Sequence, residues 1–103
     1  MVPWSSIAQL YHQLLDIAPT LGAHVGHAVA VGESQGPALA LHALIAIAAQ
    51  NNVTRYAPYW VAHAYWLAKH GDTTTAIASY QKALRLHTGP PERSYLQQQI
   101  NLL

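Results

Sequence analysis

The chain has 103 residues, a formal charge of +1, seven histidines and no cysteine. That length suits one domain with a modest core. The absence of cysteine excludes a disulfide framework and a thiolate metal site, and the near-neutral charge leaves no field to hold DNA or an anionic membrane.

Only 9% of the residues are charged and 51% are apolar, where about 25% charged is ordinary for a soluble domain. Either Gln, Asn, Ser, Thr and His cover the surface, or part of it meets another subunit or the rest of a longer chain. No run reaches the roughly 18 apolar residues of a membrane span. The opening Met1-Val2-Pro3-Trp4-Ser5 has no basic stretch ahead of an apolar core, so it does not read as a signal peptide. The cytoplasm is the expected compartment.

Prolines punctuate the chain. Pro3, Pro19, Pro37, Pro58 and Pro90-Pro91 each head an apolar periodic run, and proline suits the first helical turn because its missing N–H has no partner there. Gly71-Asp72 supplies the remaining break, with Asp72 or Thr73 as the N-cap. Six helices are predicted. The first runs from about Pro3 to Ala18, with Trp4, Ile7, Leu10, Tyr11, Leu14, Leu15 and Ala18 on one stripe of helical period. The second covers about Pro19 to Gly32. The third, Pro37 to Gln50, is apolar nearly all round and is therefore expected to be central. The fourth runs from Pro58 to His70, the fifth from Thr73 to His87 and the sixth from Pro90 to Leu102. Alanine dominates, which favours helix over strand.

A weak internal repeat accompanies these elements. A shift of 36 residues superposes Val25 on Val61, His27 on His63, Ala28 on Ala64 and Ala40 on Ala76, and brings Leu41 to Ile77 and Leu44 to Tyr80. Between Trp60 and Tyr95, apolar residues at Trp60, Ala64, Leu67, Ala76, Ile77, Tyr80, Ala83 and Leu84 flank the Gly71-Asp72 turn. This spacing resembles a tetratricopeptide unit, whose period is about 34 residues and which stacks on its neighbours. The expected fold is all-α: about six antiparallel helices stacked as a right-handed tetratricopeptide-like superhelix. It forms a single domain over 1–103, with a degenerate unit at about 20–51, a better one at about 57–88, and capping helices 3–18 and 90–102.

The order of segments carries a further likeness. Trp4…Ile7-Ala8-Gln9-Leu10-Tyr11…Leu14-Leu15…Ala18-Pro19-Thr20 is followed by Ala28-Val29-Ala30-Val31-Gly32…Gly36-Pro37-Ala38. Then come Gly71…Ala76…Tyr80…Ala83-Leu84…Glu92-Arg93…Leu96. From about Trp4 to Leu102 this resembles the C-terminal helical extension of bacterial extracytoplasmic-function sigma factors. The most specific parts are the Ala28–Gly32 run with Gly36-Pro37, and Glu92-Arg93. The chain departs from the family at Gly26-His27, where an Asn-Arg pair is usual, and at Lys69-His70-Gly71-Asp72, where a Leu-Gly-Arg turn is usual. Promoter-reading domains do not fit into this length, so the chain alone is not expected to direct transcription. The resemblance implies a regulatory module that contacts the sigma-factor core domains, RNA polymerase or a signalling partner.

Chemistry-bearing residues are few. The seven histidines are His12, His24, His27, His42, His63, His70 and His87. His24 and His27 stand three apart, and the repeat makes His27 and His63 equivalent, so His24, His27 and His63 are the candidate metal ligands. Zinc ordinarily wants three or four ligands with an oriented second shell, and no such set is evident, so no cofactor is expected. Asp16, Glu33, Asp72 and Glu92 form no acid–base couple, and the serines lack a nucleophile-elbow context, so no enzyme is expected. Arg55, Lys69, Lys82, Arg85 and Arg93 are too scattered to track a phosphate backbone.

Aromatic residues are the better functional candidates. Tyr56, Tyr59, Trp60, Tyr65, Trp66 and Tyr95 cluster around one helix pair. Trp60 and Tyr80 are expected in the core. Tyr59, Tyr65 and Trp66 are the expected partner contacts, since Tyr and Trp are enriched at interfaces. The alternatives are a free-standing adaptor or homodimer that uses its apolar surface, and, third, a histidine-based metal-binding protein.

Overall fold

The structure, a computed structural model, describes residues 2–86 and 89–103. Six helices are present among them and no strand: α1 (Trp4–Ile17), α2 (Leu21–Gln35), α3 (Pro37–Gln50), α4 (Ala57–Lys69), α5 (Thr73–Leu86) and α6 (Pro90–Leu102). The all-α expectation therefore holds. The end expected for the fifth helix, His87, lies outside the described residues. The single domain expected over 1–103 divides into two compact units, Met1–Asn52 and Val53–Leu103. The first contains α1, α2 and α3, the second α4, α5 and α6.

In the first unit α2 packs against both α1 and α3. The sequence pattern starts α2 at Pro19, but the helix begins two residues later. Thr20 is its N-cap, in extended conformation, and Thr20 Oγ1 accepts a hydrogen bond from the Ala23 N–H at 3.1 Å. That bond satisfies one of the amides the first turn leaves free. The expected stop at Gly32 is also passed. Gly32 is buried within the helix, and the Ser34 hydroxyl donates to the Ala30 and Val31 carbonyls at 2.9 and 3.2 Å. The helix ends at Gly36, whose φ of 105° is accessible to glycine at little cost. Pro37 then opens α3 at once.

The buried side of this unit is built from small residues. Ala23, Ala28, Ala30 and Gly32 of α2 and Ala40 of α3 are buried together with Val25, Leu44 and Ile47. α1 buries no residue completely. It meets α2 at Gly26, where an added Cβ would lie 2.6 Å from the Tyr11 ring. The missing side chain is what lets Tyr11 lie against the α2 backbone. α3, expected to be central because it is apolar all round, is not buried all round: Leu39 is 45% and Ile45 64% exposed.

In the second unit α5 packs against both α4 and α6. α4 ends in a Schellman turn. The Asp72 N–H reaches the Leu67 carbonyl at 2.9 Å and the Gly71 N–H reaches Ala68 at 3.1 Å, with Gly71 at a φ of 93°. Asp72, rather than Thr73, caps α5 through Oδ1, which accepts from the Thr75 N–H at 3.2 Å. Ala64, Tyr80, Ala83 and Leu96 form a buried cluster, and Trp60, Val61, Leu84 and Ile100 pack on it. Arg93 bridges the last two helices, its Nη1 donating to the Leu84 carbonyl at 2.7 Å near the end of α5. That carbonyl belongs to the group a helix C-terminus leaves unpaired.

Three of the pairs matched by the internal repeat are buried alike, while Val25 is buried and its counterpart Val61 only partly so. Ala28 and Ala64, like Ala40 and Ala76, are all at 0% exposure, and Leu44 and Tyr80 are at 0% and 3%. The repeat relates α2–α3 to α4–α5, whereas the compact units break after α3.

Candidate interaction surfaces

Four places hold polar or exposed apolar groups in arrangements that can act on something else. In the second unit Val61 of α4 and Pro91, Glu92, Tyr95 and Leu96 of α6 line an apolar groove of about 340 Å³. α4 and α6 each pack on α5 but not closely on one another, which is why their side chains leave this gap open. Tyr95 is 51% exposed there, and Glu92, in the first turn of α6, places a carboxylate on its edge.

In the first unit the outer face of α1 carries Leu10, Leu14 and Ile17 at 63%, 41% and 83% exposure. Their spacing of four and three residues sets them in one row on the helix. The sequence stripe that was expected to bury α1 is thus split. Trp4, Ile7, Tyr11 and Leu15 are half-buried, while Leu10 and Leu14 face outward.

Between α1 and α2 lies a polar groove of about 410 Å³ lined by Ser5, Gln9, His12, His27 and Ser34 among others. The His12 and His27 rings stand 6.1 Å apart, tilted by 43°. Burial, and then the neighbouring His12 and His24 imidazoles, holds the His27 pKa below the usual histidine range. His24 and His27 also line a smaller groove of about 240 Å³ against α3.

The fourth place is His63 on α4. Its Nδ1 and the Ser79 Oγ share a hydrogen bond of 2.8 Å, and its ring stacks on Tyr59 at 5.7 Å. Burial lowers its pKa and so favours the neutral ring. The pair has the contact distance of a nucleophile and its base, but Ser79 is 5% exposed and no carboxylate bears on His63. It is a helix–helix link. Sequence reasoning missed it because Ser79 and His63 are sixteen residues apart. The available signal was a serine in the middle of an otherwise apolar helical stripe.

The candidate metal ligands are divided between the two units. His24 and His27 belong to the first unit and His63 to the second. Among the described residues no group of three His, Asp or Glu side chains is placed to hold a metal ion. The expected aromatic contacts need correction. Tyr59 and Trp66 are each 3% exposed, seven residues apart on one face of α4, and are packed away rather than offered to a partner. Burial raises the Tyr59 pKa. The Trp66 indole N–H is buried with no hydrogen-bond partner among the described residues. Tyr65 is half-buried, its ring edge-on to Trp66 at 4.9 Å, with Lys69 Nζ 5.3 Å from its centroid.

Tyr80 is buried as expected. Trp60 is partly buried against the same cluster, its Nε1 donating to the Val53 carbonyl at 3.0 Å and Lys82 Nζ sitting 4.3 Å over its ring. The exposed aromatic of this unit is Tyr95, which its crowd of neighbours in the sequence obscured.

No helix of the described residues is long and apolar enough to cross a membrane. No protein-family model, curated protein or solved structure matches the chain.

Proposed function

We propose that the chain is a protein–protein interaction module without catalytic activity, stacked in the tetratricopeptide manner. We further propose that it serves, as the resemblance implies, as the regulatory C-terminal domain of a cytoplasmic extracytoplasmic-function sigma factor. The observation that carries the interaction reading is the open groove between α4 and α6. Its walls are apolar, with Glu92 at the edge and the exposed Tyr95 ring beside it. Such a groove suits a partner segment that inserts one apolar side chain and places a Lys or Arg next to it, a geometry in which aromatic residues commonly anchor binding. The sigma-factor part rests on the Ala28–Gly32 run with Gly36-Pro37 and on Glu92-Arg93. Arg93 fastens α6 to α5, while Glu92 lines the groove, so the two residues of that pair have separate tasks.

A photo-crosslinking residue at Tyr95, introduced into the native polypeptide in the source cell, tests both parts. Capture of RNA polymerase or of sigma-core segments, absent from a control with the crosslinker at the exposed Thr74, is the expected result. Crosslinks no stronger at Tyr95 than at Thr74 overturn the groove. Capture confined to proteins outside the transcription machinery overturns the sigma-factor role alone.

The exposed row Leu10, Leu14 and Ile17 favours a second reading, a free-standing adaptor or homodimer in which α1 of two copies pair. Its test is a dissociation that Leu14→Glu shifts to higher concentration. A monomer at all concentrations rules it out.

A further inference from the structure

His12 and His27 face one another across the contact between α1 and α2, with ring centroids 6.1 Å apart, and both line the groove between these helices. The remaining lining is uncharged, made of the Ser5 and Ser34 hydroxyls, the side-chain amides of Gln9, Gln13 and Gln35, and the aliphatic Ala8 and Val31. On the other side of His27, α3 presents Ala43, Ala46, Ile47, Gln50 and Asn51, none of them titratable, and α2 itself adds His24. The other titratable groups of the unit line neither groove. The Tyr11 ring lies against Gly26, Asp16 follows His12 one turn along α1, and Glu33 and His42 are exposed. A proton that arrives on His27 therefore meets imidazoles from two helices and no carboxylate in the groove. Like charges at this separation disfavour each other's ionised form, and partial burial adds to the cost.

α1 packs on α2 alone. It buries no residue completely, has no side-chain N-cap and carries no acidic residue in its first turn. Tyr11 lies over Gly26 of α2, next in sequence to the two histidines.

We propose that the His12–His27 contact is a proton-sensitive latch. Near neutral pH α1 closes on α2. In mild acid protonation at this contact sets like charges against one another and draws water into the groove, and α1 is released while the α2–α3 hairpin stays formed. The effect falls in the range where histidine titrates, at and below about pH 6.5.

The test is residue-resolved amide hydrogen exchange on the full chain at about pH 7.5 and about pH 5, corrected for the intrinsic pH dependence of exchange, with imidazole proton titrations alongside. Relative to α5, the α1 amides are expected to lose protection several-fold in acid. His12→Gln, which keeps a polar side chain at an exposed position, is expected to abolish most of that excess and to move the His27 midpoint upward. Two results overturn the latch: loss of protection in parallel across α1 and α5, or a full acid response and an unmoved His27 midpoint in His12→Gln. Should His27→Gln fail to fold, the His12 variant and the midpoint of His27 in the native chain still decide the matter.

Discussion

The two three-helix units are nearly equal in length and share a plan, a middle helix with a neighbour on each side, yet they are held by different means. In the first, alanines and a glycine of α2 make up most of its buried side, beside Val25, Leu44 and Ile47, while α1 buries no residue completely and lays the Tyr11 ring on Gly26. In the second, a cluster around Tyr80 and Leu96 is tied by directional bonds: Ser79 to His63, Trp60 to the Val53 carbonyl and Arg93 to the end of α5. Close small-residue contacts depend on shape at a point, while large buried rings spread the energy over many atoms. The first unit should therefore fail locally, helix by helix, and the second as a block.

Leu96→Ala tests the second half of that contrast and should have the largest effect. Leu96 is 2% exposed inside the cluster, and removing a buried leucine side chain typically costs about 2–5 kcal/mol. Amide protection should fall together in α4, α5 and α6. If only α6 loosens, the unit is not a block. Gly26→Val comes next. Its Cβ meets the Tyr11 ring, and displacing a packed ring typically costs about 1–3 kcal/mol, here offset in part by the better helix propensity of valine. Protection should drop in α1 and persist in α3. A uniform drop across the first unit, or none, removes the local picture.

The same glycine shows how far the sequence could be read. The helices themselves were legible because proline and glycine mark their ends and alanine fills their interiors. α3 and α6 match the expected spans residue for residue. The repeat paired Ala28 with Ala64 and Ala40 with Ala76, and all four are buried. What the pattern could not supply is which side of an apolar stripe faces inward. α1 carries more apolar residues than one neighbour can cover, so Leu10 and Leu14 remain outside. On α4 the aromatics are so dense that periodicity admits either face, and burial chose Tyr59 and Trp66. Gly26 has a physical reason: a side chain there would occupy the place of Tyr11.

Ser79→Ala sharpens the contrast on a smaller scale. It leaves His63 Nδ1 without its bond in a half-buried site, a loss of about 1 kcal/mol, and it should also change how His63 titrates. The imidazole signal of His63 should shift while that of His27 stays fixed. Asp72→Ala and Thr20→Ala make a matched pair, since each removes a hydroxyl or carboxylate oxygen that caps one helix. Each should cost about 1 kcal/mol. The Asp72 loss should be spread through the second unit and the Thr20 loss confined to the start of α2. Calorimetry together with hydrogen exchange separates the two outcomes.

The smallest effect should be the acid sensitivity of the second unit. Burial lowers the His63 pKa in the folded chain, so at pH values between that lowered value and the ordinary one near 6.5 the unfolded chain binds the proton more readily. Stability then rises with pH through this window, and it is lost as pH falls from about 6.5 toward the lowered value. Charging His63 does not break its contact with Ser79, because a protonated Nδ1 can donate to the hydroxyl oxygen. The penalty is therefore desolvation alone, with none of the imidazole repulsion that His27 meets. Denaturant midpoints for α4–α6, followed by exchange at about pH 7.5 and about pH 5.5, should move modestly, and His63→Gln should flatten the movement. Acid loss equal to that of α1 would mean that proton sensitivity belongs to buried imidazole as such and not to the facing pair in the first unit.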